Sequence, residues 1–266
     1  MFMKIRVLII LALLALCWIV SVAARAQDSA PPAQPQPQPA VVVELFTSEG
    51  CSDCPPADDL LNAIARQSSS GKLNIIPLAF HVTYWDQYGW HDRFDDNRYT
   101  ERQQNYQTQF HTPSIYTPQS VIDGRYEAVG NSRVKVLGLL QRAANDPKPV
   151  SVELTVNGDS LAVTTHASGK ASGKVLLAIT QDDLSTEVKA GENKSKTLHH
   201  DAVVRSLETL GKLKDGEFSK TVSLKLKNDW VRDKLHAIVL VQDNDDHILG
   251  AGTTVLSSAS TAALNR

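Results

Sequence analysis

The chain has 266 residues, 27 Lys and Arg against 29 Asp and Glu, and only three cysteines. No basic run or stripe marks a nucleic-acid binder, and so few cysteines exclude a small scaffold stapled by disulfides. The length is enough for two modest domains, each with its own core.

Residues 1–26 carry the three parts of a secretory signal: Lys4 and Arg6, the apolar run Val7 to Val22, and the small-residue site Ala24-Arg25-Ala26. The run is shorter than the roughly 20 apolar residues of a spanning helix, so the expectation is a cleaved signal and a periplasmic or secreted protein. Bulky Leu16 and Trp18 around Cys17 speak against a lipid anchor there. Cleavage would remove Lys4, Arg6 and Arg25 and leave 24 basic against 29 acidic side chains, a formal net charge of −5. Residues 27–40 alternate proline with alanine and glutamine, which reads as an extended linker of polyproline character.

Val41 to Phe46 is a continuous apolar run, interrupted by Glu44, that suits a strand buried on both faces. Cys54 to Gln67 then places Leu60, Leu61, Ile64 and Ala65 on one helical face. Pro55 and Pro56 fit a first helical turn, and Ser52 or Asp53 is positioned to cap it. Leu73 to Val82 reads as the next strand, completing a βαβ unit. Thr83 to Thr112 is polar and aromatic, an insertion with a helix around Asn97 to Gln109. Tyr116 to Val129 contains two short strands about Asp123-Gly124, a strong hairpin signal. A helix follows, with Val136, Leu137, Leu140, Ala143 and Ala144 on one side. Beyond Pro149 short runs recur between turn signals: Val150 to Val156, Leu161 and Val163, Val175 to Ile179, Val222 to Leu226, Leu235 to Val241, and Ile248 to Leu256. That texture predicts an antiparallel sandwich over 147–257, with a frayed tail at 258–266.

With Cys17 removed, the chain keeps two thiols, Cys51 and Cys54, spaced C-x-x-C between a strand and a helix. A thiol attacks a disulfide as thiolate, and an ordinary cysteine with a pKa of ~8.5 is mostly protonated at neutral pH. Unpaired amide hydrogens and the positive end of the helix dipole favour the anion at Cys51. Cys54, one turn on, is placed to resolve a mixed disulfide. Asp53 opposes thiolate formation by its charge, which makes the pair less oxidising than the strongest periplasmic oxidants at ~−120 mV.

Thr117-Pro118 precedes a strand and its Asp-Gly turn. In this the chain resembles the thioredoxin superfamily. The resemblance implies a cis Pro118 facing the cysteines, and a Thr117 backbone that pairs with an extended substrate segment. It also implies a role for a buried acid on the first strand in moving the proton of the resolving thiol. Glu44 is the candidate, although it stands seven residues before Cys51 where six is usual; a solvated glutamate at a sheet edge is the alternative. The region after the linker is further similar to an exported bacterial family known as domain-of-unknown-function family 1223. The matching words are Val43 to Asp58, His81 to Asp92, Tyr116 to Gly124, Gly191-Glu192-Asn193 and Leu198 to Arg205. That resemblance implies an α/β thioredoxin-like domain over 41–146 followed by an all-β antiparallel sandwich domain, without an assigned reaction.

Other readings compete. Soft thiolates select Cu(I), so Cys51 and Cys54 with His81 form an alternative copper site, with His91 and His111 behind it. A structural disulfide across so short a loop gains little from loop closure, and a closed zinc site needs four ligands where only two cysteines remain. Trp85, Trp90 and Tyr116 are candidate substrate contacts, although Trp85 and Trp90 with Tyr84 and Tyr88 equally suit the insertion's own core. His199-His200-Asp201 reads as a polar loop. A partner-binding module on a redox-inactive scaffold is a third class. The reading that uses most residues is an exported thiol–disulfide oxidoreductase with no bound cofactor. Its partners would be a protein thiol or disulfide client and a membrane redox protein, with no nucleic acid.

Overall fold

Strand β1 (Val41–Thr47) is buried over its whole length. Its alternate side chains divide between two cores, as the two-residue period of a strand requires. Val41, Val43 and Leu45 pack with Leu60, Leu61 and Ile64 of helix α1 (Pro55–Ser69), while Val42 and Phe46 join Tyr99 and Tyr106 of helix α2 (Asn97–Phe110) on the opposite face. Strand β2 (Ile75–His81) runs parallel to β1, so the expected βαβ unit is present. A short 3₁₀ turn (Thr83–Tyr88) leads toward α2.

The remaining elements are β3 (Gln119–Ile122), β4 (Tyr126–Val129), helix α3 (Arg133–Ala143), β5 (Val150–Asn157), β6 (Ser160–Ala167), β7 (Gly173–Gln181), β8 (Leu184–Glu187), β9 (Thr197–His200), β10 (Val203–Leu213), β11 (Glu217–Ser223), β12 (Leu235–Gln242) and β13 (Ile248–Val255). This computed structural model describes residues 39–71 and 74–257. The expected signal segment at 1–26, the linker up to residue 38 and the tail at 258–266 lie outside them.

Eight strands form one mixed sheet in the order β13-β12-β7-β10-β2-β1-β3-β4. β10 lies parallel to β2 at Val203 and Ala79, and antiparallel to β7 along nearly its full length. A three-stranded sheet, β11-β6-β5, covers one face of the far end of this large sheet; β8 and β9 pair as a separate hairpin.

The expectation of a thioredoxin-like domain followed by a separate all-β sandwich is therefore corrected. The chain is mixed α/β, and β7, β10, β12 and β13 extend the same sheet that β1 to β4 begin. One core crosses the expected boundary at Pro149: Val42, Phe46, Leu78 and Phe80 pack with Leu176, Ala178, Val204, Ile238 and Leu240. The Asp123-Gly124 turn also docks on the β13 start, where Ile248 N–H donates to the Asp123 carbonyl at 2.9 Å. The burial patterns give the physical reason. β5 and β6 alternate, as strands with one wet face do, whereas seven of nine residues in β7 and seven of eight in β12 are buried. Strands buried on both faces need cover on both sides, and here the helical half supplies it.

Candidate functional site

The segment between β1 and α1 carries the two cysteines, joined as a Cys51–Cys54 disulfide. Cys54 caps α1, and Pro55 and Pro56 fill the first helical positions, where an amide hydrogen would lack an intrahelical acceptor. Neither Ser52 nor Asp53 caps the helix through its side chain. Cys51 N–H donates to the Ser48 carbonyl at 3.2 Å and Cys54 N–H to the Cys51 carbonyl at 3.3 Å. Both cysteines are fully buried, whereas Ser52 and Asp53 between them are exposed.

The loop joining β8 to β9 is tied to this segment. Asn193, itself buried, donates from Nδ2 to the Glu49 carbonyl at 2.9 Å and the Cys51 carbonyl at 2.8 Å, and its Oδ1 accepts from Lys196 Nζ at 2.9 Å. The Glu192 carboxylate accepts from the Ser52 N–H at 3.1 Å, and hydrogen bonds from Ser52 hold its carboxyl below the usual range. Gly191 has φ +71°, and a Cβ there would stand 3.1 Å from Trp90 Cβ. Both the backbone and the close approach favour glycine there.

On the other side lies Thr117-Pro118, whose peptide bond is cis. The Pro118 carbonyl accepts from Gly130 N–H at 2.8 Å. A Cβ on Gly130 would come within 3.1 Å of Pro118 Cβ and 3.3 Å of Ala57 Cβ, so Pro118 and the first turn of α1 pack around one glycine. Trp85 Nε1 donates to Thr117 Oγ1 at 2.6 Å. Burial pushes the Tyr84 hydroxyl up to about 12, against hydrogen bonds with Thr117 and Gln103.

Behind the cysteines is a cluster of five ionisable side chains, Glu49, Asp58, His81, Asp92 and His200, none more than 5% exposed. Asp92 accepts from the Glu49 N–H at 2.8 Å and pairs with His81 Nδ1 at 2.7 Å. Burial opposes both charges of that pair, but the mutual attraction wins: His81 is held above and Asp92 below its ordinary value. Glu49 accepts from Trp90 Nε1 at 2.9 Å, and its other oxygen lies 3.5 Å from His200 Nε2. Asp58, hydrogen-bonded by Thr47 at 2.8 Å, is raised by burial against the fields of His200 and His81.

Glu44 is placed elsewhere. It is buried on the face of β1 opposite α1, where Arg102 Nε and Nη2 reach its carboxylate at 2.5 and 2.9 Å and the Tyr106 hydroxyl donates at 2.7 Å. It is neither a solvated edge residue nor a neighbour of the resolving cysteine. Trp85 and Trp90 spend their indole N–H groups on Thr117 and Glu49, and Tyr116 bonds the Glu127 carboxylate with its hydroxyl. They brace the site. His91 is exposed against Asp86, His111 ends α2 in a left-handed conformation, and His81 is committed to Asp92 through Nδ1. Among the described residues, two groups bring three ligand atoms close enough for one cation, Asp86–His91–Asp95 and Asp243–Asp245–His247, and neither includes a cysteine.

Residues 42–242 match a family model described as a protein of unknown function, DUF1223. The chain belongs to the DUF1223 family. Its structure is similar to an X-ray crystal structure of an Agrobacterium tumefaciens structural-genomics target, with 24% identity, a TM-score of 0.67, and coverage of 84% of this chain and 97% of that one. It is also similar to HBP35 of Porphyromonas gingivalis, with 17% identity, a TM-score of 0.63, and coverage of 86% of this chain and 79% of that one. At these identities the likeness is one of fold. No curated protein matches.

In this DUF1223 chain the site residues missed by sequence reasoning are Glu49, Asp58, Asp92, Glu192, Asn193 and His200. His200 was expected in a polar loop, yet it ends β9 and is buried while His199 points outward. The period of two gives adjacent strand residues opposite faces. A strand assignment for Thr197–His200 would therefore have sent one histidine inward.

Proposed function

We propose that this DUF1223 protein is an exported thiol–disulfide oxidoreductase that cycles Cys51 and Cys54 between disulfide and dithiol. The observation that carries the reading is the Cys51–Cys54 disulfide at the start of α1. A thiolate at Cys51 would meet the positive end of the helix. The site, unlike the fold, is locally similar to that of thioredoxin-like enzymes in pairing C-x-x-C with a Thr-Pro that leads into a neighbouring strand. Cys51 is the nucleophile, Cys54 resolves the mixed disulfide, and Thr117 and Pro118 border the position of an incoming client segment.

The reaction is an exchange. A client thiolate attacks Cys51 Sγ, Cys54 leaves as thiolate and takes a proton, and a second client thiol closes the client's disulfide while Cys51 is released. The reverse sequence oxidises Cys51 and Cys54. A membrane redox protein would restore the starting state, and the pair's potential decides whether that protein supplies or removes electrons. Because both cysteines are buried, access requires the Glu192–Asn193 loop to give way.

The asymmetry of the two thiols tests the reading. With oxidised glutathione, Cys54→Ser should form a mixed disulfide at Cys51, read by intact-protein mass spectrometry, at least tenfold faster than Cys51→Ser forms one at Cys54. Equal rates, or no adduct in either variant, would remove the oxidoreductase assignment.

A further inference from the structure

Three buried side-chain atoms of the cluster behind the cysteines, Glu49 Oε1, His81 Nε2 and His200 Nε2, have no hydrogen-bond partner among the described residues. A buried polar atom left unpaired costs on the order of 1–3 kcal/mol, so three together need an explanation. Their neighbours are fully used: Glu49 Oε2 by Trp90, and His81 Nδ1 by Asp92. The two imidazoles lie edge to face with centroids 5.0 Å apart, and Phe94 closes the pocket against both rings.

This cluster is built into the cysteine segment from both ends. Glu49 is two residues before Cys51, and one Asn193 amide spans the carbonyls of both. Asp58 sits in the first turn of α1, with its N–H on the Cys54 carbonyl at 3.0 Å. Every element around it contributes a charge or a titratable group: Glu49 after β1, Asp58 from α1, His81 from β2, Asp92 before α2, and His200 from β9. Beyond Phe94 stand the guanidinium groups of Arg93 and Arg205, 4.5 and 5.4 Å from its ring. Lys196 reaches the site through Asn193.

We propose that the Glu49–His200 pair is a proton-holding site coupled to the oxidation state of Cys51 and Cys54, taking up one proton when the disulfide is reduced. The inference rests on the redox reading above. An external dithiol breaks the Sγ–Sγ bond as its own disulfide forms, passing two electrons to the pair and releasing two protons. Cys54 Sγ takes one proton and Cys51 remains a thiolate. The second proton enters between Glu49 Oε1 and His200 Nε2, which stand 3.5 Å apart, and closes a hydrogen bond there. It offsets the negative charge that Cys51 gains in a place where water cannot screen it. Oxidation returns the proton. The consequence is a potential that depends on pH more steeply than the cysteines alone allow while Cys51 is a thiolate.

The test is the equilibrium with a glutathione or dithiothreitol buffer between pH 6 and 8, restricted to the range where absorbance at 240 nm shows Cys51 as thiolate. Wild type should take up both protons that the reduced buffer releases, so the equilibrium constant against that buffer should not change with pH, and the pair's potential should fall by ~59 mV per pH unit, at ~29.6 mV per tenfold. Glu49→Gln and His200→Gln should fall to one proton, a tenfold change per pH unit. A tenfold dependence in wild type, or a pH-independent equilibrium constant kept in both variants, would overturn the proposal while leaving the redox reading standing. A wild-type pair with no reversible transition would instead overturn the redox reading. Should either variant fail to fold, the His200 ring Cε1–H resonance of wild type decides the matter. It must move toward the imidazolium shift on reduction at fixed pH, and an unchanged position contradicts the proposal.

Discussion

Arg102→Met is the substitution whose cost follows most directly from the fold. Arg102 is 9% exposed and Glu44 not at all, and the guanidinium spans Glu44 on β1 and Gln242 on β12, with Nη1 on Gln242 Oε1 at 3.0 Å. Its removal leaves a buried carboxylate with the Tyr106 hydroxyl as its remaining strong donor. Breaking one side of such a pair costs about 3–5 kcal/mol. For a chain of this size 1 kcal/mol shifts the melting temperature by roughly 2–4 °C, so the expected fall is roughly 6–20 °C by circular dichroism. Glu44→Leu combined with Arg102→Met should recover much of that loss, because a hydrophobic replacement of both partners removes the uncompensated charge. The double variant should also keep the wild-type redox equilibrium of the cysteines, since Glu44 faces away from α1. A loss below about 1 kcal/mol for Arg102→Met would refute the argument from burial. A shift of the cysteine equilibrium by about tenfold, ~30 mV, in the double variant would return Glu44 to the site.

Asn193→Ala should speed reduction of the disulfide by dithiothreitol by about tenfold or more, because it releases two buried carbonyls whose pairing is worth ~1 kcal/mol each; an unchanged rate would show that the loop does not limit access. Gly130→Ala places a Cβ 2.8 Å from Leu45 Cδ1 and should cost ~1–3 kcal/mol by overpacking, measured by urea unfolding, and a neutral result would mean that Pro118 and α1 are less tightly apposed than described. The His81–Asp92 pair makes stability depend on pH from both sides. Asp92, lowered from 3.8, contributes stability above that value that is lost as pH falls through its folded pKa, and His81, raised from 6.5, contributes below that value until pH rises through its folded pKa. The stability difference between wild type and His81→Gln should therefore be largest between those limits and shrink toward acid and alkali; a difference independent of pH would contradict the ion pair.

Local elements were legible because their signals are local. Val41 to Phe46, Pro55-Pro56 and Asp123-Gly124 each specify a strand, a helix start and a turn from a few neighbouring residues. The turn-rich texture beyond Pro149 suggests a division that burial on both faces contradicts. The unbroken apolar run Val175 to Ile179 and the run Leu235 to Val241 already called for cover from another part of the chain. The family resemblance makes Glu44 a candidate proton-moving acid, one residue out of the usual spacing and with a solvated edge glutamate as the alternative, whereas strand parity puts it with Val42 and Phe46 on the other face. The ionisable cluster could not be assembled from sequence, because its members come from five segments between residues 49 and 200 that only the joined sheet brings together. Its local traces were the separate words Val43 to Asp58, His81 to Asp92 and Leu198 to Arg205, and the pair His199-His200, where a strand forces one histidine inward.

The central claim is that Cys51 and Cys54 form a redox couple, and a glutathione titration of the purified protein, read by thiol alkylation and mass spectrometry, tests it most directly. A reversible two-electron transition between ~−120 and ~−270 mV, absent from Cys51→Ser and Cys54→Ser, is the predicted result. A disulfide that stays oxidised well below ~−300 mV would behave as a structural bond and contradict the account.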